Sequence, residues 1–424
     1  MIKEKEYVSR RTTLGKKLKD NSIAIVFSAT MKTRSNDTEY AYRQNSNFYY
    51  LSGFKEDNAA LLFHKEKGIV KTYMFVQHRD KLLELWTGKR LGEKRGRKHF
   101  RIDEVFSIKK LDKMLEEFIK LGQNIYFDFR SDASRIEKIK ELSNHYHSHK
   151  NIAIIIEKSR LIKSDGEIAL IKKAVSITKD AHHMAMEKSK ILGNEYELLA
   201  EIEYIFKKNG AYSDAYTSIV ASANAANTLH YINNDSKIVD NELILIDAGC
   251  EYEYYASDIT RTIPANGKFT KAQKELYEMI LDVQEKLIAM IKPNILRTDI
   301  QMKSEELLCD GMLELGILEG DKQELLKSKA HKKYYPHGVG HWMGIDVHDE
   351  APYRTKKGKE IPLKSGMVMT IEPGMYIDKD DKDVPKKYRG IGIRIEDDIL
   401  VTKDGYENLS KGIRKSVKEI ESIS

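Results

Sequence analysis

The stretch Leu243-Ile-Leu-Ile-Asp247-Ala-Gly249-Cys-Glu-Tyr-Glu-Tyr254-Tyr-Ala-Ser-Asp258-Ile-Thr-Arg-Thr-Ile263 decides how the carboxyl-terminal part of this chain is read. Four apolar residues run into Asp247 and a glycine turn, the form of a buried strand ending in a carboxylate. A second strand, Tyr254–Ile263, carries Asp258 between apolar or β-branched neighbours. Paired as a hairpin, the two strands bring Asp247 and Asp258 to a common spot. Two unpaired carboxylates in a buried sheet repel and are costly to desolvate, and a divalent cation removes that cost. Taken alone, the pair leaves a second reading open, in which each Asp is a strand-end cap or simply exposed.

Three downstream segments decide between the readings. His337-Gly-Val-Gly-His341-Trp-Met-Gly-Ile-Asp346-Val-His348-Asp349 packs three histidines around glycines that admit close backbone approach. Met367-Val-Met-Thr-Ile-Glu372-Pro-Gly ends an apolar strand in a glutamate, and the proline stops the pairing. Ile391-Gly-Ile-Arg394-Ile-Glu396-Asp397-Asp398 alternates, with isoleucines on one side and Arg394, Glu396 and Asp398 on the other. Four carboxylates and a histidine on buried β-structure need more positive charge than Arg394 supplies. The expected ligands are Asp247, Asp258, His341, Glu372 and Glu396. A thiolate-free set with one imidazole suits Mn²⁺ first, with Co²⁺, Fe²⁺ or Zn²⁺ as alternatives. Two such ions, roughly 3.5–4 Å apart, hold a hydroxide at neutral pH and polarise a carbonyl, which is metal-assisted hydrolysis.

Outward from the site, the chain divides near residue 160. Ser164-Asp-Gly-Glu167 has the form of a capping box, followed by Ile168, Leu170, Ile171, Ala174, Val175 and Ile177 at helical spacing. Residues 1–160 alternate strands (Ser22–Ser28, Ala59–Phe63, Ile69–Val76, Asn124–Phe129) with amphipathic helices (Lys109–Leu121, Ser134–Ser143), an α/β domain. Residues 161–424 combine long helices near 164–190, 194–209, 270–291 and 298–315 with strands at 216–221, 243–248, 254–263, 366–377 and 390–402, an α+β domain.

Bulk properties agree with a soluble globular protein. The 424 residues are 41% hydrophobic and 32% charged, enough for a sizeable core in two domains. No apolar run reaches the ~20 residues of a membrane span, and the charged opening MIKEKEYVSRR lacks a signal-type core, so a cytoplasmic location is expected. Two cysteines, Cys250 and Cys309, make neither a disulfide framework nor a thiolate zinc site. The net charge of +7 is modest, and the basic run Lys89–Lys98 reads as a solvated loop, so no nucleic-acid partner is expected. The HYHSH histidines, His145, His147 and His149, read as a solvated linker. His182 and His183, adjacent on a helix, point apart and do not chelate together.

The order Asp, Asp, His, Glu, Glu in the settings IDAGCEYEYYASDITRT, HGVGHWMGIDVHD, TIEPGMYI and GIGIRIEDD resembles the pita-bread metallopeptidases. Among them it is most similar to Xaa-Pro aminopeptidase (aminopeptidase P), with prolidase next. Arg34-Ser-Asn-Asp37 through Gly53-Phe54 is similar to the amino-terminal domain of that family. The resemblance implies an α/β amino-terminal domain and an α+β creatinase/aminopeptidase-like catalytic domain. It implies that Asp247 binds one metal, that Asp258 and Glu396 bridge both, and that His341 and Glu372 complete the second. Glu372 is then also the proton shuttle to the leaving nitrogen, while His230 and His348 stabilise the intermediate. His337 and Arg394 orient the ligands, and Tyr376 lines the pocket. Peptides with proline second are the implied substrates, and a homodimer or higher homo-oligomer the implied assembly. Prolidase activity confined to Xaa-Pro dipeptides is the alternative. A non-catalytic pita-bread binding module is a remote one, since such relatives lose the ligands present here.

Overall fold

The computed structural model describes residues 2–190 and 193–423, and the chain falls into two compact units, Met1–Arg160 and Leu161–Ser424. The amino-terminal unit is built on one six-stranded mixed sheet, in the order Glu104–Ser107, Ile69–Val76, Ala60–Glu66, Ser22–Phe27, Asn124–Phe127, Ser148–Asn151. Helices Leu111–Leu121 and Ala133–Leu142 bury Leu115, Ile119 and Ile139 against Ile23, Ile25 and Phe127. Two local expectations differ. The basic run forms the helix Gly92–Phe100, whose Gly92, Gly96 and Phe100 are buried while its cations stay in solvent. The HYHSH segment enters the edge strand Ser148–Asn151, and the apolar residues after it belong to the helix Ala153–Arg160.

In the second unit the capping box at Ser164 and Glu167 forms as the sequence indicates: Glu167 N–H donates to the Ser164 hydroxyl at 3.3 Å, and Ser164 N–H to the Glu167 carboxylate at 2.9 Å. The helix Asp165–Lys188 follows, then Glu195–Lys208, Lys271–Ala289 and Arg297–Glu314. Their apolar faces share one core with the strands, including Ala174, Ile177, Ile202, Leu276 and Leu308. Among the described residues, no helix is long and apolar enough to cross a membrane.

The strands here are shorter and more broken than their hydrophobic patterns suggest. Residues 366–377 form two strands, Val368–Ile371 and Gly374–Tyr376, interrupted at Glu372-Pro373. Residues 390–402 also form two, Gly392–Arg394 and Asp397–Val401, interrupted at Ile395-Glu396. The two halves of each segment join different sheets: Val368–Ile371 pairs with Asp397–Val401, and Gly374–Tyr376 with Gly392–Arg394. Likewise 254–263 splits into Tyr255–Ala256 and Thr260–Pro264, with Asp258 in the gap.

Each break frees backbone carbonyls that need partners. Gln284, fully buried on the helix Lys271–Ala289, donates its side-chain amide to the carbonyls of both Ile371 and Ile395, at 3.3 and 3.2 Å. One helix residue therefore satisfies the two breaks that release Glu372 and Glu396.

Candidate metal centre

Asp247 ends the strand Leu243–Asp247, which pairs antiparallel with Thr260–Pro264 so that Asp247 lies opposite Thr260. Asp258, Glu372 and Glu396 occupy the three strand breaks. The carboxylates converge because each sits where its strand leaves a ladder and its side chain turns into the seam between sheets. Two glycines permit the crowding. A Cβ at Gly249 would lie 1.9 Å from the Ser257 carbonyl oxygen, and one at Gly340 would lie 2.0 Å from that of Thr370.

Asp258, His341 and Glu396 each offer a ligand atom, all within 4.8 Å of one another. His341 Nε2 is 3.2 Å from Asp258 Oδ2 and 3.7 Å from Glu372 Oε1. Its Nδ1 hydrogen-bonds the Trp342 carbonyl at 3.1 Å, which puts that proton on Nδ1 and turns Nε2 towards the carboxylates. Asp247 accepts from Arg394 Nη2 at 2.6 Å and from the Tyr216 hydroxyl at 2.5 Å. Glu396 accepts from the Thr260 hydroxyl at 2.7 Å through Oε2, while its buried Oε1 has no hydrogen-bond partner. Thus all five expected ligands line one seam.

The electrostatics state what the seam lacks. Burial first, then the neighbouring carboxylates, push Glu396 well above the ordinary carboxylate range. Burial raises Asp247 as well, against the opposing charge of Arg394. Glu372 is raised to about 7, again chiefly by burial. Burial would lower His341, but its hydrogen bond to Asp258 and the surrounding acids carry it up to about 9. Carboxyl groups pushed towards protonation and an imidazole pushed towards gaining a proton mark a site short of positive charge. With Glu396 Oε1 unsatisfied and Asp247 the one carboxylate of the set that Arg394 hydrogen-bonds, the donor set fits divalent cations.

The residues expected to orient the ligands form a chain. Arg394 donates to Asp247, to the Thr260 hydroxyl at 3.1 Å and to the Tyr376 hydroxyl at 2.9 Å. Tyr376 in turn meets His337 Nε2 at 2.8 Å. Burial and the nearby Arg394 lower His337 to about 4, so it is neutral and accepts the Tyr376 proton. His348 packs edge-on against His341, with ring centroids 4.1 Å apart. A cavity of 340 Å³ opens onto the seam, and His230, His348 and Tyr216 share its wall with Asp247, Asp258 and Glu396.

Several contributors carry no motif. Tyr216 lies in an ordinary strand-like run. Thr260 differs from Thr262 only in its partner. Asp398 belongs to a run of three acids, yet its role is to accept the Asp258 backbone N–H at 3.1 Å. Arg261 and Asp397 form a fully buried pair at 2.7 Å behind the site, joined by Lys415 at 2.9 Å. The strict alternation of 391–398 pointed to Glu396, but it could not show that the strand breaks there. His182 is buried, with Nε2 3.1 Å from the Ala248 carbonyl beneath the Asp247 strand.

Residues 169–403 match metallopeptidase family M24, and residues 7–126 match the aminopeptidase P N-terminal domain. The chain belongs to family M24. It is 38% identical to the Xaa-Pro aminopeptidase of Haemophilus influenzae, covering 100% of this chain and 97% of that one. It is also 38% identical to the Xaa-Pro aminopeptidase of Escherichia coli, covering 100% and 98%. The structure of aminopeptidase P from E. coli superposes with a TM-score of 0.96 at 36% identity, over 100% of this chain and 98% of that one. A zinc-substituted form of the E. coli protein in complex with product superposes with a TM-score of 0.95.

Proposed function

We propose that this chain is an Xaa-Pro aminopeptidase, a metallohydrolase that removes the first residue from peptides whose second residue is proline. The observation that carries the reading is the seam where buried Asp258 and Glu396 and half-buried Asp247 and His341 line one cavity, with Glu372 Oε1 3.7 Å from His341 Nε2. Asp247, Asp258, His341, Glu372 and Glu396 would hold two divalent cations, with Mn²⁺ the first choice. When bound there, such ions polarise the scissile carbonyl and acidify a water.

The chain's own residues supply the rest. Glu372, raised towards neutrality by burial, takes a proton at its carboxylate and delivers it to the departing nitrogen. Proline's amide nitrogen has no N–H, so recognition cannot use that donor, and the leaving group must be protonated on a tertiary amide nitrogen. His230 and His348 face the same cavity and donate to the oxygen that gains charge in the transition state. The chain Arg394–Tyr376–His337 fixes Asp247 and one side of the cleft. Cytoplasmic placement and assembly as a homodimer or higher oligomer belong to the same reading, and fractionation and light scattering test them.

The deciding experiment compares metal-reconstituted protein on an Xaa-Pro-Xaa tripeptide, an Xaa-Pro dipeptide and an Xaa-Ala-Xaa tripeptide. Cleavage of the proline tripeptide well above the alanine one supports the proposal. Activity confined to the dipeptide would make the enzyme a prolidase instead.

A further inference from the structure

His230 lies in a segment with little regular structure. After the strand Ile219–Ser222 comes a single 3-10 turn, Ala223–Asn227, and then chain without ladder partners until past residue 236. Two groups tie this loop down. Asn234 accepts from Val220 N–H at 2.7 Å and donates to the Ser218 carbonyl at 2.9 Å. The second is Glu195, the fully buried first residue of the helix Glu195–Lys208.

Glu195 spends both carboxylate oxygens on the His230 loop. Oε1 accepts from Ser222 N–H at 2.6 Å, where the loop begins. Oε2 accepts from Ser236 N–H at 2.9 Å, where it ends, and from the hydroxyl of Tyr231, the residue after His230, at 2.8 Å. Its own N–H donates to the Ser236 carbonyl at 3.0 Å. A buried carboxylate is stable only if its lone pairs are used, and here three donors and the helix amino terminus do so. All three donors bracket His230.

We infer that Glu195 is a positioning residue, clamping the start, middle and end of the loop so that His230 stays at the wall of the catalytic cavity. The inference rests on His230 acting on the substrate. It assigns a catalytic consequence to a carboxylate that is nowhere on that cavity's wall.

The test is a double-mutant cycle on the full-length, metal-loaded protein: wild type, Glu195→Gln, His230→Ala and the pair together. kcat and KM for a proline tripeptide are read alongside metal content and thermal midpoint. Glutamine keeps the shape but turns a donor towards at least one of the three donors that Glu195 accepts. His230→Ala is expected to lower kcat roughly 10²- to 10³-fold. Glu195→Gln should lower it about 10- to 100-fold through misplacement, with KM and metal content near wild type. In the His230→Ala background, Glu195→Gln should cost nothing further. An equal loss in both backgrounds, or normal turnover in Glu195→Gln, overturns the inference. Normal turnover in His230→Ala removes His230 from the mechanism, and the inference with it. If Glu195→Gln does not fold, Tyr231→Phe removes one donor in the same cycle. It should cost roughly two- to tenfold, and only when His230 is present; a loss that persists without His230 overturns the inference.

Discussion

Replacing Thr260 with valine removes one hydroxyl from the metal site and the two hydrogen bonds it makes. Thr260 is fully buried, donates to Glu396 Oε2 at 2.7 Å and accepts from Arg394 Nε at 3.1 Å. Valine keeps the branched shape, so neither a cavity nor overpacking is introduced, and only the hydroxyl is lost. Metal binding needs Glu396 ionised, whereas without metal its burial and its neighbours favour the protonated form. A hydrogen bond to a charged carboxylate contributes about 1.5–3 kcal/mol, and one to a neutral carboxyl about 1 kcal/mol. The difference, about 0.5–2 kcal/mol, is lost from metal binding alone, a weakening of roughly 2- to 30-fold. Competition of the metal-free protein against a chelating dye measures it, with the thermal midpoint followed in parallel. An affinity indistinguishable from wild type would refute the reasoning that Thr260 holds Glu396 as a carboxylate.

Three further outcomes follow from the same geometry. His348→Ala should keep its metal while turnover falls about 100-fold, since His348 packs on His341 without being an expected ligand; normal turnover removes it from the mechanism. At pH 7 the metal-free chain carries a proton on His341, raised to about 9, and is near half-protonated at Glu372, raised to about 7. Ligation removes these protons, so affinity should rise with pH up to about 9, and calorimetry in two buffers of different ionisation enthalpy should detect proton release; none would contradict the assignment. Asp397→Asn breaks the fully buried pair with Arg261 and should cost about 3–5 kcal/mol of stability by denaturant titration. Although burial opposes it, Arg261 and Lys415 hold Asp397 down to about 2, below its unfolded value. The wild-type advantage should therefore be full above pH ~4 and vanish as pH falls through about 2.

How much of this was legible in the sequence depends on the length scale of the signal. The capping box at Ser164 and the long amphipathic helices declare themselves locally, so the helices of the second unit fall within a few residues of their expected bounds. The convergence of the five candidate ligands on one seam was legible as well, because carboxylates at the ends of apolar runs are costly to bury together without a shared cation. The breaks at Asp258, Glu372 and Glu396 were not. An unbroken apolar alternation reads as one strand, and only the partner sheet and Gln284, over 80 residues away, decide that it changes ladders. Thr260 and Tyr216 were invisible for the same reason, since a hydroxyl becomes informative only once its acceptor is known. Glu195 was hidden behind its neighbours: as the first residue of a helix it looks like an ordinary favourable charge at an amino terminus.

The most direct test of the central claim is a titration of metal-free protein with Mn²⁺, following bound metal by elemental analysis and hydrolysis of an Xaa-Pro-Xaa tripeptide in the same samples. The five-ligand seam predicts no turnover without metal and activity that rises to a plateau at two ions per chain, with Asp258→Asn abolishing binding and activity together. Full activity in protein shown to be metal-free, or an Asp258→Asn variant that binds two ions and turns over normally, would contradict it.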